Sequence, residues 1–285
     1  MKKFVSILLF VIGYGTLFLS CSKDNSDKAY PVDEDIILTD VSYGSHPQQK
    51  IDVYLPEGRS SSSTKFVVFI HGGGWAGGDK SDLPITQEAL DELKKLFPGF
   101  ALFNVNYRLV DGADNRYPAA EQDIKSALDF IYAHLKDYQI SSDTYMVGGS
   151  AGAHLAALHT LKNNIGNRIK GCIGISGAYN MVSLYNDGSD EVKLYVSAFL
   201  GGTPTEKTAV YEQASPIRFV SASSPKFLIL HGKDDDLTPI GQANEFIQKL
   251  QQHGVEHTVF TYSGGHGIPG EHIEKAFEHI VAFLL

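Results

Sequence analysis

Cysteine is scarce in this chain of 285 residues: there are two, Cys21 and Cys172, beside one tryptophan and three methionines. Two thiols allow at most one intrachain disulfide, and even that is lost if Cys21 is modified. Basic charge is also short, with 24 Lys and Arg against 33 Asp and Glu and a formal net charge of -9. No basic stripe is available to neutralise phosphates, which excludes nucleic acid as a partner. The acidic balance reads as solubility. Long apolar runs are missing after the first twenty residues, and no internal repeat is visible. What remains is ordinary for a globular protein: 43% apolar and 20% charged residues, enough for a sizeable core in one large α/β domain or two smaller ones.

The N-terminus is a separate object. Lys2 and Lys3 precede an apolar stretch from Phe4 to Leu19, followed by Ser20-Cys21. A basic start and an apolar run this short make an export signal rather than a membrane span. The small residue before Cys21 resembles the lipobox of bacterial lipoproteins, although Phe18 stands where that pattern usually has Leu. The resemblance implies lipidation at Cys21 and a protein exported and anchored to a membrane, periplasmic or at the cell surface. Residues 1–20 are then a lipoprotein-type signal peptide and 21–35, polar and charge-rich, a flexible tether. The folded domain fills 36–285. Cys172, in an apolar strand-like run, reads as a buried thiol.

Within that domain, Ile36–Val41 and Ile51–Leu55 predict a hairpin around Gly44-Ser45-His46-Pro47. Phe66–Ile70, five apolar residues in a row, predicts a strand buried on both faces. Leu83–Phe97 has helical spacing, Ala101–Val105 is strand-like, and Pro118 opens a helix with Ile124, Ala127, Leu128, Ile131 and Leu135 on one face. Further strands are expected at Thr144–Val147, Ile169–Ile175, Phe227–Leu230 and Thr258–Tyr262, with helices at Ala153–Leu161, Ile240–Gln252 and Gly270–Leu285. Strands alternating with helices imply a mostly parallel, doubly wound sheet with helices on both faces. Tyr179–Ser224 breaks the rhythm and reads as a small insertion with one helix, Glu191–Phe199.

Sites in such sheets gather beyond the carboxyl ends of the strands, and four loops there carry chemistry. Gly148-Gly149-Ser150-Ala151-Gly152 lies between a strand and a helix, the context of a nucleophile elbow. The turn is so sharp that positions two before and two after the serine tolerate little beyond glycine. His71-Gly72-Gly73-Gly74-Trp75 frees backbone N–H groups to point inward as oxyanion donors. A phosphate-cradling loop and a mere turn are the competing readings of that stretch, the first weakened by the absence of the P-loop Lys and Ser/Thr. His231 to Pro239 holds three adjacent carboxylates, Asp234, Asp235 and Asp236, which serve a triad, hold a cation or are simply solvated. Gly264-Gly265-His266-Gly267 follows the last strand, and its position singles out His266 from the 11 histidines. His134, His154 and His159 fall on expected helices and read as structural or solvated.

These four loops, with Gly77-Gly78-Asp79-Lys80, Asn106-Tyr107-Arg108-Leu109 and Asp235-x-x-Thr238-Pro239, resemble α/β-hydrolases of the esterase/lipase group with an HGGG-type oxyanion loop. The chain is similar to hormone-sensitive-lipase-like esterases and, closer still, to bifunctional feruloyl and acetyl-xylan esterase-like hydrolases, from about Ile51 onward. The resemblance implies Ser150 as nucleophile, His266 as general base and then acid, and Asp235, four residues before Pro239, as the orienting carboxylate. It implies Gly73, Gly74 and Ala151 as oxyanion donors, tolerates Thr238 for a commoner Val, and suggests a buried Arg108–Asp123 ion pair behind the site.

The implied reaction is two-step acyl transfer to water through an acyl-enzyme, needing no metal and no organic cofactor. Its substrates are acetyl or feruloyl esters of plant polysaccharides, or other small acyl esters. Trp75, Tyr107 and Tyr179 are candidate substrate contacts; the tyrosines of the insertion (Tyr179, Tyr185, Tyr195, Tyr211) serve either as platforms for sugars and aromatic acyl groups or as packing. Two rival readings are a serine exopeptidase of the prolyl-oligopeptidase type and a non-catalytic glycan-binding lipoprotein on a hydrolase scaffold. Oligomeric state is not legible.

Overall fold

Eight strands pair into one sheet: β1 (Ile36–Ser42), β2 (Lys50–Leu55), β3 (Phe66–Ile70), β4 (Ala101–Val105), β5 (Thr144–Gly149), β6 (Ile169–Ile175), β7 (Lys226–Gly232) and β8 (His257–Tyr262). Their spatial order is β1-β2-β4-β3-β5-β6-β7-β8. β2 runs antiparallel to β1 and β4, and the pairs from β4 through β8 are parallel. The computed structural model describes residues 29–83, 87–97 and 99–285. The expected leader, the Cys21 attachment site and residues 21–28 of the tether lie outside the described residues.

The period-2 alternation of each strand divides the core in two. Phe66, Val68, Met146, Phe227 and Ile229 point to one face, and Val67, Tyr145, Val147, Leu228 and Leu230 to the other. The second face is covered by α1 (Gln87–Leu96), through Leu90 and Leu93, and by the C-terminal helix, through Ala276, Ile280 and Phe283. The first is covered by α2 (Ala119–Ala133), followed by the single turn α3 (Leu135–Tyr138), and by α4 (Ala151–Lys162), which is buried from Ala151 to Thr160. A helix without a polar face belongs inside, and α4 runs through the core directly behind the elbow.

The insertion between β6 and β7 departs from expectation. Instead of one helix it holds three, α5 (Met181–Asp187), α6 (Asp190–Leu200) and α7 (Thr208–Gln213), and then a 3-10 turn at Pro216–Phe219. α5 and α7 span two turns or fewer, too little chain for a periodic pattern to show. Local caps still mark α5 and α6: Asn180 Oδ1 accepts from the Val182 and Ser183 N–H groups, and Ser189 Oγ from the Val192 N–H. α8 (Gly241–Gln252) and α9 (Ile273–Leu284) complete the chain. The helix expected over Leu83–Phe97 is α1, preceded by a separate 3-10 turn at Lys80–Asp82.

Residues 30–35 are not free tether, a second departure. The Tyr30 N–H donates to Asp137 O at 2.9 Å and the Gly58 N–H to Val32 O at 2.7 Å. The buried Arg59 guanidinium donates to the carbonyls of Tyr30 and Pro31, and Asp35 accepts from the Tyr54 hydroxyl while pairing with Lys94. Polar composition suggested a segment with nothing to bury, but here the backbone carbonyls are what the domain uses: they satisfy an arginine inside it.

Candidate active site

Ser150 stands between β5 and α4 with φ 53° and ψ -121°, a conformation that costs a non-glycine residue about 1–3 kcal/mol. Its N–H donates to Ile175 O at 2.8 Å, and the His154 N–H donates to Ser150 O at 3.1 Å. The flanking glycines explain why the turn closes. A Cβ on Gly148 would lie 2.3 Å from the Gly152 carbonyl carbon, and one on Gly152 would lie 2.0 Å from Ile70 O. Those contacts are backbone on backbone, so neither position accepts a side chain. Ala151 is the first residue of α4, where an N–H has no intrahelical acceptor and the helix dipole favours an anion.

The loop after β3 meets this helix end. Gly73 has φ 102°, and its carbonyl accepts from the Gly77 N–H at 2.9 Å and the Ala76 N–H at 3.2 Å. A Cβ there would sit 2.2 Å from Gly77 O, so the tight reversal needs glycine. Among the described residues, none accepts from the Gly73 or Gly74 N–H. The reversal is fastened on two sides. His71 stacks on Tyr107 with ring centroids 4.4 Å apart, and the Tyr107 hydroxyl donates to His71 O at 3.1 Å. Beyond the loop, Asp79 caps the 3-10 turn and accepts from Asn106 Nδ2 at 2.6 Å, while Lys80 Nζ lies 2.9 Å from Asp52 and from Asp40. Burial works against the Lys80 ammonium, but the two carboxylates outweigh it and hold its pKa above the ordinary lysine value.

Asp235 and His266, on the loops after β7 and β8, are in direct contact: His266 Nδ1 donates to Asp235 Oδ2 at 2.9 Å and lies 3.0 Å from Oδ1. Asp235 Oδ1 also accepts from the Thr238 N–H at 2.7 Å and the Leu237 N–H at 3.1 Å. Burial pushes this carboxyl up, yet the hydrogen bonds from His266 and Thr238 prevail and leave it below the usual carboxylate range. Asp234 is occupied elsewhere, its Oδ2 accepting from the Gly264 N–H at 3.0 Å. Of the three adjacent carboxylates, then, Asp235 is the one that meets His266. Behind it His231, fully buried, donates from Nε2 to Thr238 O at 2.7 Å and lies 3.5 Å from Asp235 Oδ2. The histidine loop and the elbow hang from neighbouring residues of one strand end. The Gly267 N–H donates to Ser176 Oγ at 3.2 Å, and the Ser150 N–H to Ile175 O. Ser176, buried with φ 51°, carried no sequence signal beyond its place after β6.

The three residues expected to touch substrate need correction. Trp75, Tyr107 and Tyr179 are 4%, 1% and 1% exposed, so none offers a face to a ligand. Trp75 stacks on Phe199 of α6 with centroids 4.5 Å apart and donates from Nε1 to His154 Nδ1 at 3.1 Å. His154 in turn donates from Nε2 to Ala214 O at 2.7 Å, and burial pulls its pKa down to about 4. The glycine-rich loop after β3, helix α4 and the insertion are thereby tied through one neutral imidazole. Tyr179 stacks on Phe246 at 4.2 Å inside the core. The Arg108–Asp123 pair is present, with Nη2 2.7 Å from the fully buried carboxylate, which also accepts from Gln49 Nε2. Cys172 is buried, its thiol pushed up to about 12 by burial. Among the described residues no cluster of three or more metal-ligating side chains occurs.

The family described as BD-FAE matches residues 51–250. "Probable carboxylic ester hydrolase LipM" of Mycobacterium tuberculosis is 28% identical over 235 residues, covering 78% of this chain and 53% of that protein. The chain spans about half the length of the curated relatives it first matches. A truncated carbohydrate esterase from gut microbiota superposes with a TM-score of 0.76 at 23% identity, over 90% of this chain and 98% of the other. A bifunctional GH43-CE protein of Bacteroides eggerthii superposes with a TM-score of 0.73 at 25% identity, over 89% of this chain and 38% of the other.

Proposed function

The chain belongs to the BD-FAE family, within the α/β-hydrolase esterase group, and from that premise we propose that it is a serine carboxylic-ester hydrolase. The observation that carries this reading is the buried Asp235 carboxylate holding the His266 ring by Nδ1, on loops fastened to the strand end that also fastens Ser150. Held this way, the imidazole keeps its proton on Nδ1 and leaves Nε2 free to take one from Ser150 Oγ. The serine oxygen attacks the ester carbonyl, and the developing oxyanion is met by the N–H groups of Gly73, Gly74 and Ala151, preorganised by the loop and the helix end. His266 returns its proton to the departing alkoxide. Water, deprotonated by the same ring, then releases the acid and regenerates the hydroxyl.

Acetyl or feruloyl esters of plant polysaccharides, or other small acyl esters, are the proposed substrates, in keeping with the carbohydrate esterases of similar fold. Export and lipid attachment at Cys21 belong to the same proposal, resting on the N-terminal sequence. Membrane fractionation of a Cys21→Ser variant tests that part: release from the membrane supports it, and unchanged partition removes it. For the chemistry, wild-type protein is expected to hydrolyse p-nitrophenyl acetate and to be labelled by a fluorophosphonate probe, with Ser150→Ala losing both. Hydrolysis retained by the variant removes Ser150 as nucleophile.

A further inference from the structure

With Trp75, Tyr107 and Tyr179 inside the core, none of the three presents its ring to a substrate. Tyr195 is the one large aromatic among the described residues that stays exposed, at 42%, and it lies on α6 of the insertion. Its position is set by the register of that helix. Phe199 is anchored on Trp75, and Tyr195, four residues earlier, lies one turn along the same face. There it covers the neighbouring loop residue: a methyl on Gly74 would lie 3.4 Å from Tyr195 Cδ1. Leu194, 69% exposed, stands beside it. An aromatic ring over an oxyanion glycine and an open leucine next to it are apolar surface at the mouth of the site, with no described partner covering them.

Strand order says which half of an ester would meet that surface. β5, which carries Ser150, has β3 and the glycine loop on one side and β6, β7 and β8 on the other. The leaving oxygen must receive its proton from His266, after β8, so the alcohol lies toward that side. The acyl group, on the opposite bond of the carbonyl carbon, extends toward the β3 side, where Tyr195 sits over Gly74. Resting on the esterase reading above, we propose that Tyr195, with Leu194, forms the acyl-side wall of the site and selects extended or planar acyl groups over acetyl.

The test keeps the leaving group constant and varies the acyl group. Wild type, Tyr195→Ala and Tyr195→Phe are compared on p-nitrophenyl acetate, hexanoate and 3-phenylpropenoate, and on acetylated xylo-oligosaccharide. Loss of the ring is expected to lower kcat/KM for the phenylpropenoate by about tenfold and to leave acetate within about twofold, since a missing apolar contact is felt only by an acyl group that reaches it. Tyr195→Phe should behave as wild type, because the contact uses the ring rather than the hydroxyl. Equal loss on all three nitrophenyl esters, or no change in their ratio, overturns the proposal. So does a loss confined to the xylo-oligosaccharide, which moves Tyr195 to the alcohol side. A wild-type protein active on acetate alone refutes the extended acyl wall but keeps the esterase. One inert toward every ester removes the esterase reading itself, and the wall with it. Tyr195 is half exposed, so the alanine variant should fold, and an unchanged near-ultraviolet circular dichroism spectrum verifies that.

Discussion

Replacing Lys80 by Met tests whether the glycine-rich loop after β3, the proposed source of oxyanion donors, is held from beyond its far end. The ammonium lies 2.9 Å from Asp52 and from Asp40, with the side chains of Lys80 and Asp52 only 10% and 9% exposed. Methionine keeps the length of the stem and removes the charge, leaving the Asp52 carboxylate buried without its counter-ion. Removing one partner of a buried pair costs about 3–5 kcal/mol. Because the Asp40 side chain is 70% exposed, water reaches the pair from one side, which favours the lower end, about 3 kcal/mol. In a domain of this size each kcal/mol shifts Tm by roughly 2–4 °C, so a fall of about 6–12 °C is expected by differential scanning calorimetry. Lys80 is bonded directly to Asp79, whose carboxylate closes the loop on Asn106, so the loosening should reach the donor N–H groups. We expect kcat for p-nitrophenyl acetate to fall about tenfold with KM little changed, the pattern of a lost transition-state interaction. Adding Asp52→Leu should recover most of the lost stability, short of about 1 kcal/mol for the Asp40 N–H that donates to Asp52 Oδ1. A single variant whose Tm stays within about 2 °C of wild type, or a double variant no more stable than the single, refutes the reasoning.

At the elbow, Gly152→Ala forces a Cβ to within 2.0 Å of Ile70 O and should cost about 3 kcal/mol or more and abolish fluorophosphonate labelling. Gly149→Ala meets nothing within 4 Å and should change stability by less than about 0.5 kcal/mol; equal damage from both would show that crowding is not what the turn obeys. Asp235→Asn removes the ionised acceptor of His266 Nδ1 and should lower kcat by about 10³–10⁴, whereas Asp236→Asn should stay within about twofold. The reverse result in steady-state kinetics would transfer the acid role. Burial holds both His154 and His159 at about 4, below their ordinary 6.5. As pH falls from 6.5 toward 4 the unfolded chain gains protons that the folded one refuses, so stability is present above the unfolded value and drains away in that window. Urea unfolding at about pH 7.5 and about pH 5 should show a loss of up to roughly 1.4 kcal/mol per pH unit per histidine, and a flat profile would contradict it.

Much of the scaffold was legible because it is written locally. Phe66–Ile70, Ala101–Val105 and Ile169–Ile175 are strands to the residue as their apolar runs predict. The loops that carry Ser150, the three adjacent carboxylates and His266 lie directly after β5, β7 and β8, strands that the sequence also predicts. Helices α5 and α7 were hidden because two turns hold too few residues to express a period. The aromatic residues misled for a different reason. Trp75 and Tyr179 look alike in sequence to any surface platform, and what buries them, Phe199 and Phe246, comes from distant segments.

The sequence by itself determined where the elbow turns, which residues end the parallel strands and in what order serine, acid and histidine occur, because backbone strain and side-chain period are properties of neighbours. The family resemblance singled out Asp235 among three adjacent carboxylates, and the structure brings it to His266; only the tertiary structure decided that Trp75, Tyr107 and Tyr179 frame the site from within, and that Tyr195 is left facing out beside Gly74. Those outcomes depend on contacts between segments far apart in the chain, where packing distance rather than sequence spacing selects the partner.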